Sequence, residues 1–374
     1  MLSKEHSFYQ EMQNCPGLDK RDNRGKTHSL AFVLVGVLLG LLRGRDGVLS
    51  SIHRSMENNN EALCMCLAIP TQQVVSRPHL PVILSKVDVE VFDNLLFNHY
   101  SFRLNANEKE WFSGDGKDLR GSIACGKKRG EAIVQLVHHQ SGEVFAQNYY
   151  NGHKESEKPR LRDLLSQTQV ASQKVTLDAL HFYPETIETI LGAGGIFLIG
   201  LKSNQPKLLA KMSRCARKQA PIYEESHFDD GHGRFERRKY ELYDVSQHQF
   251  DKRWPPQAFM RLIRVERSRI DKKSGKISRT ISYHVTNDTQ KEGIFDAVRD
   301  HWGIEVNNYI RDITLKEDQL KSKKQKLQRT ISGLRTLAVN LLKKETHKSL
   351  IAQIELFQDD FNALLAWLKK LQFL

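Results

Sequence analysis

The longest unbroken apolar stretch runs from Leu30 to Leu42, LAFVLVGVLLGLL. Its 13 residues fall short of the roughly 20 that a membrane-spanning helix needs, so it predicts a helix buried on all sides. Lys20, Arg21, Arg24 and Lys26 precede it, and Arg43 and Arg45 follow where a secretory leader would carry small residues. The pattern stays helical to about residue 105. Ser50-Ser51-Ile52-His53-Arg54 opens a helix to about Leu67, Ser76-Arg77-Pro78 breaks the chain, and a further helix starts near Ser85 and carries Val87, Val91, Phe92 and Leu95. Short helices with such joints suit a helix-turn-helix-like DNA module or a plain helical packing domain.

From Trp111 the period changes. Trp111 to Asp115 predicts a short strand ending in an acid, Ala132 to His138 a second strand and Glu143 to Tyr150 a third, with Gly142 in the turn between them. A helix over Lys158–Leu165 follows, then the strand KVTLD ending at Asp178. Pro184 to Leu191 predicts a helix closed by Gly192, Gly194 and Gly195, and the apolar run Ile196–Leu201 a central strand. Residues 207–287 interrupt this order. After a basic helix over Lys207–Arg217, the stretches His227–Val245 and Phe259–Val285 read as strands, the second folded at Asp271-Lys272-Lys273-Ser274-Gly275. Helices resume near Gly293, then cover Gln325–Lys344 and His347–Phe373. The expected units are 1–105, 106–206, 207–287, 288–345 and 346–374, in an α/β fold with a mixed sheet covered by helices.

Charge sharpens this picture. The chain of 374 residues carries a formal net charge of +13, which either aids solubility or points to a polyanionic partner. Residues 1–105 are near neutral, with 11 basic and 10 acidic side chains; residues 207–287 hold 19 and 10, and residues 313–344 hold 9 and 2. A localised positive field is what phosphate binding needs. The five cysteines are scattered, and the lone pair Cys64 and Cys66 lacks a second pair for a zinc site. Reduced structural thiols and a cytoplasmic protein are expected.

Asp115 and Asp178 each follow an apolar strand, and Glu305 lies on a helix beyond the basic segment. Neighbouring strand ends would gather the aspartates, and a returning helix would bring the glutamate opposite them. Clustered carboxylates resist joint ionisation unless a cation neutralises them. Oxygen ligands suit magnesium or manganese, and two such ions support phosphodiester displacement. Taken singly, each acid reads as an ordinary turn or cap residue; the case rests on all three occurring in order.

The surrounding motifs resemble those of bacterial insertion-sequence DDE transposases of the H-repeat-associated type. Gly114-Asp115-Gly116-Lys117 with Leu119-Arg120-Gly121-Ser122 is similar to their first acidic motif, and Val175-Thr176-Leu177-Asp178-Ala179-Leu180-His181 to the second. Leu201-Lys202-Ser203-Asn204-Gln205 resembles the L-K-x-N-Q segment. Gly231 to Arg238 resembles G-H-G-R-x-E-x-R, and His301-Trp302-Gly303-Ile304-Glu305 resembles H-W-x-I-E. Arg24 to Leu30 and Gly44-Arg45-Asp46 are similar to the associated helical domain.

The resemblance implies a ribonuclease-H-like mixed sheet with a β-rich insertion, a helical N-terminal domain and a helical C-terminal region. It implies DNA cleavage at element ends and strand transfer by 3′-hydroxyl attack. Asp115, Asp178 and Glu305 would hold two Mg2+ ions, or Mn2+ in their place. The expected partners are double-stranded DNA with terminal inverted repeats, target DNA and a second copy on paired ends, in the cytoplasm at the nucleoid. The alternatives are a decayed or domesticated DNA-binding protein and a nuclease without strand transfer. Lys117, Arg120, His181, Lys202, Asn204, His232, Arg234, Arg238, His301 and Trp302 are the expected DNA contacts. Surface charge, a packed histidine, a solvated ion-paired strand and a core tryptophan are the bland alternatives. A related branch has Tyr and Arg seven and four residues before the glutamate and Lys seven after it. Here those positions are Val298, His301 and Asp312, so His301 is expected to take part of the phosphate-binding role and the distal lysine function to be absent or relocated.

Overall fold

A computed structural model describes residues 6–45, 47–100, 104, 108–231, 233–256, 258–345 and 349–374. His232 and Asp46, both singled out above, lie outside the described residues. Nine strands form one mixed sheet: β1 (Trp111–Asp118), β2 (Glu131–His138), β3 (Val144–Asn151), β4 (Lys174–Leu177), β5 (Ile196–Leu201), β6 (Tyr223–Gly231), β7 (Arg234–Asp244), β8 (Arg261–Asp271) and β9 (Ile277–Thr286). Their order is β3-β2-β1-β4-β5-β9-β8-β7-β6. The pairs β1–β4 and β4–β5 are parallel and the others antiparallel.

Two features differ from the sequence expectation. The stretch read as strand over His227–Val245 is a hairpin, turned where Gly233 takes a φ of +72°, a conformation glycine adopts without strain. Through the β5–β9 pairing this basic segment extends the central sheet. The first strand also runs past Asp115. Its antiparallel pairing with β2 continues to Asp118 opposite Ala132, while its parallel pairing with β4 stops at Gly114 opposite Leu177. Asp115 and Asp178 therefore sit side by side, each one residue beyond the last β1–β4 pair.

Period-2 alternation decides what covers each face. Phe112, Val175, Phe197 and Ile199 bury against helices Glu157–Gln167 and Pro184–Gly192 through Leu161, Leu165, Ile187 and Ile190. On the other face Leu198, Leu242, Ile263 and Val265 pack on Ile294 and Phe295 of helix Ile294–Asp300, which leads into helix Trp302–Tyr309.

The apolar run is a helix over Leu30–Leu42 with every residue buried. It shares one core with helix Gln325–Lys343 and the C-terminal helices. Three helices differ from the expected spans. The one predicted to about Leu67 is split at Asn59 into Leu49–Asn58 and Asn60–Cys66. The one predicted from Ser85 starts at Val89, where the Asp88 carboxylate accepts the Val91 N–H at 3.1 Å as an N-cap. The last one divides into Leu350–Asp359 and Phe361–Lys370, because Asp360 caps Ala363 N–H at 2.9 Å. No helix among the described residues is long and apolar enough to cross a membrane.

Arg43 joins the two ends of the chain. Its guanidinium is buried and donates to the carbonyls of Phe357 and Gln358, both at 2.8 Å, which satisfies the open end of a helix. Charged hydrogen bonds of this kind contribute about 1.5–3 kcal/mol, so Arg43→Met should lower unfolding free energy by about 2–3 kcal/mol in urea. A loss within experimental error would remove this link from the account.

Candidate metal centre and nucleic-acid cleft

Asp115 lies in a corner with Glu157 and His181, whose ligand atoms all fall within 4.8 Å of one another. His181 Nε2 is 2.9 Å from Glu157 Oε1. Burial first, then the Glu157 and Asp178 carboxylates, push the Asp115 carboxyl up to about 7, against the Gly116 N–H and His181. Glu157 was not foreseen. A glutamate in the first turn of a helix is ordinary, and nothing in its neighbourhood marks it out. The one signal is Gly116, where a Cβ would lie 2.2 Å from the Glu157 carboxylate.

Asp178 and Glu305 meet on an adjoining cavity of about 170 Å³, which Lys202, His284 and His301 also line. Asp178 accepts the Leu180 N–H at 2.8 Å and so fixes the turn that carries His181. Partial burial and Asp178 raise the Glu305 carboxyl, and Lys202 opposes them. The three acids singled out by sequence are thus electrical neighbours in a chain: Asp115 to Asp178, and Asp178 to Glu305.

A polar layer joins the strands to the Glu305 helix. Thr176 Oγ1 is 2.9 Å from His301 Nδ1 and 3.2 Å from Ser113 Oγ, which contacts His139 Nε2 at 2.8 Å. Burial pushes His139 down to about 3 and His301 down to about 4. His301, expected to help bind phosphate, is therefore a neutral hydrogen-bonding group at pH 7.

Beyond the helix a short π-helical stretch, Ile310–Thr314, carries Arg311 and Asp312. Arg311 is fully buried and grips Glu317 with two hydrogen bonds of 2.9 and 2.7 Å. Burial alone would raise the Glu317 carboxyl, but Arg311 and Lys117 pull it well below the usual carboxylate range.

Several expected DNA contacts take other partners. Lys117 is almost enclosed, 2.6 Å from Asp312 and 3.0 Å from Glu317, so its ammonium joins β1 to the π-helix instead of facing solvent. His181 is fully buried, which keeps it from any DNA surface. Asn204 donates to the Ala179 carbonyl at 2.6 Å, which clamps the turn after Asp178. Lys202 and Arg120 are exposed, and among the described residues Arg120 makes only a 4.0 Å contact to Asp318.

Trp302 is 60% exposed, which excludes the core alternative. It lines a cleft of about 550 Å³ with Arg234, Arg238, Arg267, Arg269 and Arg299. This cleft shares His284, Val298 and His301 with the cavity of Asp178 and Glu305. Four of the arginines surround the buried carboxylate of Glu236: Arg238 at 2.5 Å, Arg269 at 2.6 Å, Arg234 at 3.4 Å and Arg267 at 3.6 Å. One negative charge orients four positive ones, and although Asp229 and Asp300 also line the cleft, the arginines leave it net positive.

Comparison with known proteins places the chain in a family. A family model described as "Transposase DDE domain" matches residues 105–341. Two relatives from Escherichia coli (strain K12), the putative protein YbfL and the H repeat-associated putative transposase YhhI, are 24% and 23% identical over 286 residues, spanning 73% of this chain and of each relative. A cryo-EM structure of the piggyBac transposase synaptic complex with hairpin DNA aligns with 97% of this chain and 77% of that chain, at 11% identity and a TM-score of 0.44.

The raised Asp115 carboxyl makes a stability prediction. A carboxyl whose folded pKa exceeds its unfolded value of about 3.9 weakens the fold once pH rises above the unfolded value. Asp115→Asn should therefore stabilise the metal-free protein at pH 8 by on the order of 2 kcal/mol. The gain should shrink as pH falls through 7 and vanish near 4. Thermal melts across that range check it, and a pH-independent difference would contradict the cause given.

Proposed function

Since the chain belongs to the transposase DDE domain family, we propose that it cuts DNA at the ends of a mobile element and joins the freed 3′-hydroxyl to target DNA. The observation that carries this reading is the run of coupled acids, Asp115, Asp178 and Glu305, beside an arginine-lined cleft. The strand order β3-β2-β1-β4-β5 supports a ribonuclease-H-like core, with β6–β9 as its insertion and the helices of residues 1–105 as a further DNA-contacting unit.

The donor set fits divalent metal. Asp115, Asp178 and Glu305 offer hard oxygen ligands, and burial together with the neighbouring carboxylates raises Asp115 towards its neutral form unless a cation offsets it. We assign these acids to two Mg2+ ions, or Mn2+, since they fall into two adjoining groups. Bound there, the ions would activate the attacking oxygen and stabilise the leaving one.

The chain's own residues do the rest. Arg234, Arg238, Arg267 and Arg269, aligned by Glu236, hold the DNA backbone and steer it past Trp302. Trp302 stacks on an unpaired base at the cut, as an exposed indole can. Lys202 faces the scissile phosphate from the Asp178–Glu305 side. His301, neutral and bonded to Thr176, sets the start of the Glu305 helix and carries no charge to the phosphate. A homodimer would hold two ends together.

Asp178→Asn should leave binding to element-end DNA unchanged and abolish metal-dependent cleavage. Cutting at the parent rate would overturn the assignment, and binding without cutting by the parent would favour a DNA-binding relative without catalysis. Cut ends without joined product would favour a nuclease. Arg267→Gln with Arg269→Gln should flatten the salt dependence of DNA binding, lowering the log–log slope by ~1.8 if each contacts one phosphate. An unchanged slope would remove the cleft from the binding surface.

A further inference from the structure

We propose that Glu157 is a fourth carboxylate of the metal centre, a ligand beside Asp115, and that His181 is the residue that positions it. This rests on the metal-dependent reading above and adds residues outside the Asp115, Asp178 and Glu305 set. Four observations converge on it.

Asp115, Glu157 and His181 alone among the described residues bring three potential ligand atoms within 4.8 Å; Asp178 and Glu305 are not part of that group. Glu157 opens helix Glu157–Gln167, and its carboxylate lies against Gly116. A Cβ there would be 2.2 Å from both Cδ and Oε2, so the residue after Asp115 must be glycine for Glu157 to reach the site. His181 is fully buried, with Nε2 on Glu157 Oε1 at 2.9 Å and an Nδ1 that finds no hydrogen-bond partner. Tyr150 makes only a long 3.4 Å contact to Oε2. Finally, neither carboxylate has a lysine or arginine at ion-pair distance among the described residues; His181 is the only basic group on Glu157.

Two carboxylates held this close without a lysine or arginine lack the neutralisation that buried charge requires. A divalent cation between them supplies it with ligands of the right hardness. The imidazole fixes Oε1 of Glu157 and leaves Oε2 beside Gly116, the residue that follows Asp115, as residues behind a metal ligand commonly do. Asp178 anchors the turn bearing His181 through Leu180, and Asn204 and Gln205 clamp the carbonyls of Ala179 and Phe182. The L-K-S-N-Q segment thus holds the positioning histidine.

Calorimetric titration of Mn2+ into the full chain, without DNA, tests this. The parent should show saturable binding, which Glu157→Gln weakens at least ~10-fold and Asp115→Asn weakens as strongly. Gly116→Ala should weaken it too, since it displaces the Glu157 carboxylate without altering any ligand. Far-UV circular dichroism and thermal midpoints check folding. Should Glu157→Gln not fold, Glu157→Asp replaces it: it keeps the charge, shortens the reach and should bind Mn2+ more weakly than the parent. Parent-like affinity in the Glu157 variants with loss in Asp115→Asn overturns the role of Glu157 and leaves the metal centre standing. Parent-like affinity in Asp115→Asn overturns the metal centre at this corner itself. Absence of saturable binding by the parent overturns the proposal.

Discussion

Carboxylates repel one another, and a site built from them must be held together by something else. Here the holding is done by a buried ion network. Glu317 accepts two hydrogen bonds from Arg311 and a third from Lys117, and Lys117 also meets Asp312. Lys117 stands two residues after Asp115 on β1, and Arg311 six residues after Glu305. The network therefore ties the strand of the first acid to the helical segment of the third. Buried pairs are costly to form and costlier to break, so this link is rigid once made. Thr176 and His301 add a second tie between the β4 strand and the Glu305 helix. Asp312, seven residues after Glu305, accepts the ammonium of Lys117, so an acid of the third element is paired with a base of the first strand.

The charge of the chain divides into two uses. In the β6–β9 segment the arginines line an open cleft around one carboxylate, a surface suited to phosphate. In residues 313–344 much of the excess lies inside the protein. Arg335 is fully buried, Arg329 pairs with Glu131, and Lys343 reaches the carbonyl of Gly142 and the side chain of Asn307. Of the basic side chains in that segment, only the lysines at 321, 323, 324 and 326 are exposed. A net charge of +7 over that segment is therefore partly a property of the core.

The strands were legible wherever period-2 alternation met a glycine turn, and the apolar helix Leu30–Leu42 where thirteen residues left no polar face. Boundaries blurred where a single cap decided them, as at Asp88 and Asp360. The β6–β7 hairpin reads as one strand from sequence because Gly231 and Gly233 sit inside a polar run that resembles strand on either side. In the site, three acids stood out because each follows or returns to an apolar element. Glu157 did not, since its role arises from the glycine opposite it, 41 positions away in the chain. Lys117, Asn204 and His181 were read as DNA contacts because chemistry near an acid invites that reading, whereas burial and pairing depend on the returning helices. The coarse fold follows from local pattern; the division between positioning and contacting residues follows from tertiary packing.

Asp115, Asp178 and Glu305 together make the proposed metal centre. Anomalous X-ray scattering from crystals grown with Mn2+ addresses it directly. The account predicts anomalous density bounded by the carboxylates of Asp115, Asp178 and Glu305. Manganese density elsewhere on the chain, with none at these side chains, would contradict it.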